Sequence, residues 1–170
     1  MITLGIETSC DETAVAVVAD GFHVRANLIA RQEHLHERFG GVVPEVAARA
    51  HVESLNPLLE RALDEAGVGF RNIDGVAVTV GPGLVGALLV GMAAAKAVSL
   101  AARIPLIGVN HLEGHVWANF LEHGKPDPPY VALVVSGGHT MLVHMPEVHR
   151  HEVLGQIGRA SCRERVLDHV

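Results

Sequence analysis

Apolar residues along the chain recur with two periods, and the switch between them marks the elements. The runs "ITLGIET" and "TAVAVVAD" are short and β-branched, with the polar stretch "SCDE" between them. With "FHVRANLIA" after Asp20 and Gly21 they predict three strands in an antiparallel meander. From residue 44 the period lengthens. Val46, Ala47, Ala50, Leu55, Leu58, Leu59, Ala62, Leu63 and Ala66 follow a three-four spacing, Pro44 suits a first helical turn, and Gly67 suits a C-cap. Pro57 lies inside this pattern and should kink the helix or split it in two. "IDGVAVTVGPG" predicts a buried strand running into a glycine turn, and "LVGALLVGMAAAKAVSLAARI" a helix apolar nearly all round, hence central. "PLIGVN" predicts another strand, "HLEGHVWANFLEHG" a helix leaving its carboxyl end, and "YVALVVSGGHTMLVHM" two strands joined by a tight turn. A meander followed by alternating helix and strand specifies an α/β domain with a mixed sheet covered on both faces. The proline-rich "KPDPP", 125–129, marks a boundary between a first lobe, 1–124, and the start of a second, 125–156.

Composition adds limits. At 170 residues, 49% hydrophobic and 19% charged, the chain has enough apolar material for one good core. A net charge of −6 argues against a surface built throughout for nucleic acid, leaving a local patch or a partner to supply any such contact. Cys10 and Cys162 form no CxxC pair, which points to a reduced, cytoplasmic protein. The start lacks a basic n-region and so does not read as a signal peptide. The apolar stretch 84–95 stops at Lys96, short of the ~18 residues of a spanning helix, so no membrane is expected.

Three polar or glycine-rich turns each follow a strand: "ETSCDET", "VGPGLVG" and "VSGGHT". None is GxxxxGK[ST] or GxGxxG. Backbone N–H groups and hydroxyls in such turns can cradle phosphate, and Asp11 and Glu12 beside Thr8, Ser9 and Thr13 would suit a magnesium-bridged nucleotide. The plainer reading is a set of ordinary hairpin turns. Two hydroxyl-rich hairpins, one opening each lobe, are the arrangement of actin-like ATPases and sugar kinases, an analogy of fold only.

His111 and His115 are four residues apart, so on a helix both imidazoles share a face and can meet one cation. Glu113 points about 200° away round the helix. In the zinc-protease pattern HExxH the glutamate directly follows the first histidine. Here Leu112 stands there, so a metalloprotease would lack its general base. His34, His36, His51 and His139 compete as ligands or as mere surface residues. The position of the 111/115 pair, where a helix leaves a strand's carboxyl end, favours it. Two histidines make an open site that needs a third ligand from elsewhere.

Taken in order, "GIETSCDET", "GGVVPEVAARAH", "GPGLVGAL", "KAVSLAARIPLIGVNHLEGHV" and "VSGGHT" resemble the TsaD family of tRNA adenosine threonylcarbamoyltransferases, long labelled glycoproteases. The resemblance runs from residue 2 to about 155. It implies an actin-like ATPase (ribonuclease H-like) lobe with a mixed sheet, followed by the start of a second lobe. It also implies transfer of a threonylcarbamoyl group from threonylcarbamoyl-AMP to the adenosine next to the anticodon, in tRNAs reading codons that begin with adenine. By the same resemblance His111 and His115 hold Fe2+ or Zn2+, and Val134, Val135, Ser136, Gly137 and Gly138 bind the adenylate. The implied partners are tRNA, a TsaB-like paralogue and a TsaE-like ATPase. A non-catalytic TsaB-like scaffold of the same fold is the alternative, and "HLEGH" argues against it. A small-molecule kinase would need a carboxylate base that cannot be placed here.

The family pattern continues with an acidic helix and a full second lobe carrying an aspartate ligand, whereas this chain reads "GQIGRASCRERVLDHV". Residues 157–166 match a translation of common sequencing-adapter DNA, so 157–170 are expected to be an artefactual tail and the chain to be inactive alone. Asp168 is accordingly not a ligand candidate.

Overall fold

The computed structural model describes residues 1–123, 127–135, 140–147 and 150–157. They divide into two compact units, Met1–Gly114 and His115–Val170. The division falls inside a helix, ahead of the proline-rich loop at which the sequence suggested a boundary.

The first unit opens with the expected meander, β1 (Ile2–Glu7), β2 (Glu12–Ala19) and β3 (His23–Arg31). A short helix α1 (Glu33–His36) and a 3-10 turn lead to α2 (Pro44–Ala66). Then come β4 (Gly75–Gly81), α3 (Val85–Ala102) and β5 (Leu106–Asn110), with α4 (His111–His123) beginning at once. The sheet order is β3-β2-β1-β4-β5. β1 pairs antiparallel with β2 and parallel with β4, and β4 pairs parallel with β5. The carboxyl ends of β1, β4 and β5 therefore lie side by side, which is where open α/β sheets place their ligands.

Alternation along β1 and β2 buries Leu4, Ile6, Val15 and Val17 on one face. They join Leu55, Leu58, Leu59, Ala62 and Leu63 of α2 in a single core. α2 is stopped by Gly67, left-handed at φ +65, where a side chain would be strained. Its N–H reaches Asp64 O at 3.0 Å and the Val68 N–H reaches Leu63 O at 3.0 Å, a Schellman closure. Of the two outcomes expected at Pro57, a split does not occur: α2 is one helix. Pro57 and Glu53, whose carbonyl would have met the missing N–H, both lie on the exposed side of α2, so the lost hydrogen bond is outside the core.

α3 departs from expectation. Only Ala87, Gly91 and Ala95 are buried, while Val85 is 73%, Leu89 55% and Leu100 82% exposed. Apolar residues occupy its whole circumference; the small-residue stripe is fully buried where α3 meets β4 and α2, and Val90, Met92, Ala94 and Val98 flank it, partly buried against the core. The helix also runs past Lys96 through 18 residues, so by length and composition it could cross a bilayer, a test that core helices of soluble proteins also pass. α2 and α3 pack on one sheet face. On the other, Gly5, Ala14, Ala16 and Val18 are partly exposed and Ile29 and Ile107 exposed, unlike the two-sided cover expected.

In the second unit β6 (Tyr130–Val135), β7 (Thr140–Glu147) and β8 (Arg150–Ile157) form an antiparallel sheet in that order. The two strands read from sequence are present, and β8 extends them. Val134, Met141, Val143 and Met145 are buried. Phe120 meets the rings of Trp117 and Tyr130 edge-on at 4.7 and 6.0 Å.

Candidate functional site

Three strand ends build the centre of the first unit. The turn after β1, residues 8–11, is anchored from three directions. Leu84 N–H donates to Ser9 O at 2.7 Å, His51 Nε2 to Cys10 O at 3.0 Å, and Gln32 N–H to Asp11 O at 3.2 Å. The turn after β4 lies directly against it. A Cβ on Gly83 would sit 2.5 Å from Ser9 O and 2.7 Å from Ser9 Cβ, so only glycine allows this approach.

The hydroxyls of the turn face inward. Thr8 is buried and donates to Ala87 O at 2.9 Å. Thr13 is buried and donates to His51 Nδ1 at 2.7 Å. Their chemistry fixes the turn's shape. Asp11 is half-buried, and Glu12 is exposed and pairs with Arg31 at 3.3 Å.

His51, one of the competing histidines, is fully buried. A carbonyl can only accept, so Nε2 carries the proton, and Nδ1 accepts from Thr13 and from Gln32 Nε2 at 3.3 Å. Burial lowers its pKa from the ordinary 6.5, more than Cys10 O and the charges of Glu7 and Asp11 raise it. Gln32 Oε1 in turn accepts from His36 Nε2 at 3.4 Å, and His36 is buried. These two histidines are core groups with hydrogen-bond partners, and His34 is exposed. His139 lies outside the described residues.

His111 begins α4 because Asn110 caps it: Asn110 Oδ1 accepts from Leu112 N at 2.9 Å and Glu113 N at 3.4 Å. This sets the ring beside the end of β1, with Nδ1 3.1 Å from Glu7 Oε2 and 3.2 Å from Ser9 Oγ. Glu7 also accepts from Ser9 N–H and from Thr79 Oγ1, the latter at 2.5 Å. Burial alone would raise the Glu7 pKa. Hydrogen bonds from His111, Ser9 and Thr79 outweigh that and hold the carboxyl at about 2. Sequence reasoning missed both Glu7 and Thr79. The available signal was a lone carboxylate closing an otherwise apolar strand, a placement that needs partners.

His115 is exposed on α4, and the boundary between the units falls just before it, so each histidine belongs to its own unit. Among the described residues no three His, Cys, Asp or Glu side chains gather as a closed metal cluster. Val134 is buried and Val135 exposed at the end of β6, while Ser136, Gly137 and Gly138 lie outside the described residues. A cavity of about 590 Å³ beside Phe70, Ile73, Val98 and Ile104 adjoins the amino ends of β4 and β5 and holds none of these groups.

A model of the TsaD family, described as tRNA N6-adenosine threonylcarbamoyltransferase, matches residues 23–168. The chain belongs to the TsaD family. TsaD relatives bearing that description include those of Clostridioides difficile, 54% identical over 156 residues, and Dictyoglomus turgidum, 56% identical over 156. Each alignment takes in 92% of this chain but 46% and 47% of the relative, so the chain spans about half the length of the curated relatives it matches. YeaZ from Pseudomonas aeruginosa shares the fold at TM-score 0.58 and 19% identity, covering 93% of this chain and 68% of that one. Ethanolamine utilization protein EutJ from Carboxydothermus hydrogenoformans does so at 0.53 and 14%, covering 92% and 51%. The TsaD fold here is thus an actin-like, ribonuclease H-like lobe with a mixed sheet.

Proposed function

We propose that this chain is the N-terminal part of an enzyme that transfers threonylcarbamoyl from threonylcarbamoyl-AMP to the adenosine beside the anticodon of tRNAs reading codons that begin with adenine. The observation that carries the reading is the TsaD match over residues 23–168. In this reaction the adenosine N6 forms a bond to the carbamoyl carbon, the bond from that carbon to the phosphate oxygen breaks, AMP leaves with the electron pair, and N6 gives up one proton to solvent. The anhydride is already activated, so the protein's task is mainly positioning.

His111 and His115 are the residues that would hold Fe2+ or Zn2+. The fit of His111 is supported by its place directly after β5, beside the ends of β1 and β4, where Glu7 and Ser9 meet its Nδ1. When bound, the ion supplies Lewis-acid polarisation of the carbamoyl oxygen. The carbonyls of Ser9, Cys10 and Asp11 all accept from inside the fold, so a phosphate would meet the other side of that turn, where trans peptides direct the N–H groups of Asp11 and Glu12. These two carboxylates would face a magnesium ion accompanying a nucleotide. Val134, Val135, Ser136, Gly137 and Gly138 would contact the adenylate. Partners are tRNA, a TsaB-like paralogue and a TsaE-like ATPase, in the cytoplasm.

In this reading residues 1–124 are the first lobe, 125–156 open a second, and 157–170 are foreign to it. Finding codons 157–166 in uninterrupted genomic DNA would remove the last part. Residues 1–156 carry ten basic against seventeen acidic groups, so tRNA contact must come largely from sequence or partners beyond them. Two measurements test the function. Depleting the full-length gene should lower threonylcarbamoyladenosine in bulk tRNA, and an unchanged level refutes the assignment. The purified chain alone should not modify tRNA, and product formation by it would overturn the fragment reading.

A further inference from the structure

We infer that Gln32 is a positioning residue: its buried side-chain amide ties the turn after β1 to the segment that opens α2 and holds that turn in one shape. The part this plays in function rests on the reading of the turn as the one that would meet a phosphate.

Gln32 stands at the cap position of α1 and is 2% exposed. Serine, threonine, aspartate and asparagine are the residues that cap helices with their side chains, and Gln32 makes no such bond. Its amide is used elsewhere. Nε2 donates to His51 Nδ1 at 3.3 Å, beside Thr13 Oγ1 at 2.7 Å, and Oε1 accepts from His36 Nε2 at 3.4 Å. Two fixed groups set the direction of every bond in this chain. At one end the Cys10 carbonyl can only accept, so His51 donates from Nε2 and accepts at Nδ1. At the other end the Val43 N–H can only donate, so His36 accepts at Nδ1, 3.4 Å away, and donates from Nε2. One orientation of the Gln32 amide satisfies both rings, with nitrogen toward His51 and oxygen toward His36.

The backbone of the same residue adds a second hold, since Gln32 N–H donates to Asp11 O at 3.2 Å. Gln32 therefore reaches the turn twice, directly at Asp11 and through His51 at Cys10. Val43, at the far end of the chain, is the residue from which α2 starts, and residues 37–42 just before it are all exposed. A displacement of that surface segment has a hydrogen-bonded route to the turn.

The competing account is that Gln32 only fills space beside α2. Two variants separate the accounts. Gln32→Met keeps the length and bulk of the side chain without the amide, and Gln32→Ala removes both. Amide hydrogen exchange is followed by NMR on the purified chain. The Leu84 N–H, which donates to Ser9 O, and the Val43 N–H should exchange about 3–10-fold faster in both variants, the worth of one hydrogen bond. Wild-type rates in Gln32→Met with faster rates in Gln32→Ala mean packing alone and overturn the inference. Leu55→Ala, a core change away from the chain, is the control: if it speeds the same two amides as much, the effect is global and the inference fails. Histidine 15N spectra at pH 7.5 should show the proton of both His36 and His51 on Nε2, and a proton on Nδ1 of either ring overturns the chain without any variant. AMP with Mg2+ should move the Asp11 and Glu12 amide signals of wild type and bind about 3–10-fold more weakly to Gln32→Met. If AMP moves neither signal in wild type, the phosphate reading of the turn fails while the positioning stands on exchange and tautomer. If AMP binds both proteins equally, the functional part of the inference is overturned and the phosphate reading survives.

Discussion

Replacing Gly91 with alanine sets two effects against each other. Inside a helix the change favours folding by roughly 1 kcal/mol, because alanine surrenders less backbone freedom. Gly91, however, is buried where α3 presses on the turn after β1. A Cβ there would lie 3.3 Å from Thr8 Cγ2, 3.4 Å from Thr8 Cβ, and nearer still to Thr8 Oγ1. Thr8 cannot swing aside freely, since its hydroxyl donates to Ala87 O at 2.9 Å in a buried position. Overpacking costs about 1–3 kcal/mol, and breaking the hydrogen bond about 1 kcal/mol more. The clash should win, leaving Gly91→Ala less stable by roughly 1–3 kcal/mol. Urea unfolding followed by circular dichroism measures this. In a Thr8→Ala background the obstruction is gone, so the penalty should vanish and the two changes should couple by at least about 1 kcal/mol. Gly86→Ala serves as a control, because its Cβ would meet only Ala48 Cβ at 3.4 Å, an ordinary contact. Wild-type stability in Gly91→Ala, or a penalty unchanged by Thr8→Ala, would refute the close-approach argument.

Three other outcomes follow from the same unit. Leu55 is 2% exposed in the core, so Leu55→Ala should destabilise by about 2–5 kcal/mol in chemical denaturation. The buried His51 has its folded-state pKa lowered from the ordinary 6.5, chiefly by burial and against the pull of Glu7 and Asp11. Its contribution is therefore complete above pH 6.5 and is lost as pH falls below that value toward the folded pKa, because the unfolded chain takes up the proton first. Unfolding free energy measured across that window should fall with pH in wild type and fall less steeply in His51→Gln. Arg49 and Glu45 pair at 2.7 Å on the open face of α2, and Arg49→Ala should shift stability by at most about 0.5 kcal/mol in a thermal melt.

Local chemistry made much of this lobe legible. The meander, the lengthened period from Pro44 and the stop at Gly67 all follow from side-chain spacing and backbone allowance, and each appears where the pattern put it. What the pattern could not rank was competition between faces. α3 carries apolar groups on every side, so periodicity alone gave no way to tell which stripe would be covered. The structure buries the stripe Ala87, Gly91 and Ala95, four residues apart on one face, and at Gly91 the Thr8 side chain leaves no room for a Cβ. Pro57 does not split α2, one of the two outcomes its missing N–H suggested, and both it and Glu53 lie on the exposed side, where the lost bond is outside the core. At the candidate site, the histidine spacing was visible in one short window. Glu7 and Thr79 were not, since 72 residues separate them and only the parallel pairing of β1 with β4 makes them neighbours. His51 likewise looked like a spare ligand, and only its burial against Thr13 and Gln32 reveals an architectural duty.

The turn after β1 takes its three anchors from Gln32, His51 and Leu84, residues spread over half the lobe's length. Its shape is thus settled when the lobe folds, ahead of any visitor. An anion arriving there would find a rim already frozen and forfeit little entropy in docking. The same wiring makes the rim a gauge of the lobe's health, since a weakened helix far from the turn would slacken the grip before the protein as a whole came apart.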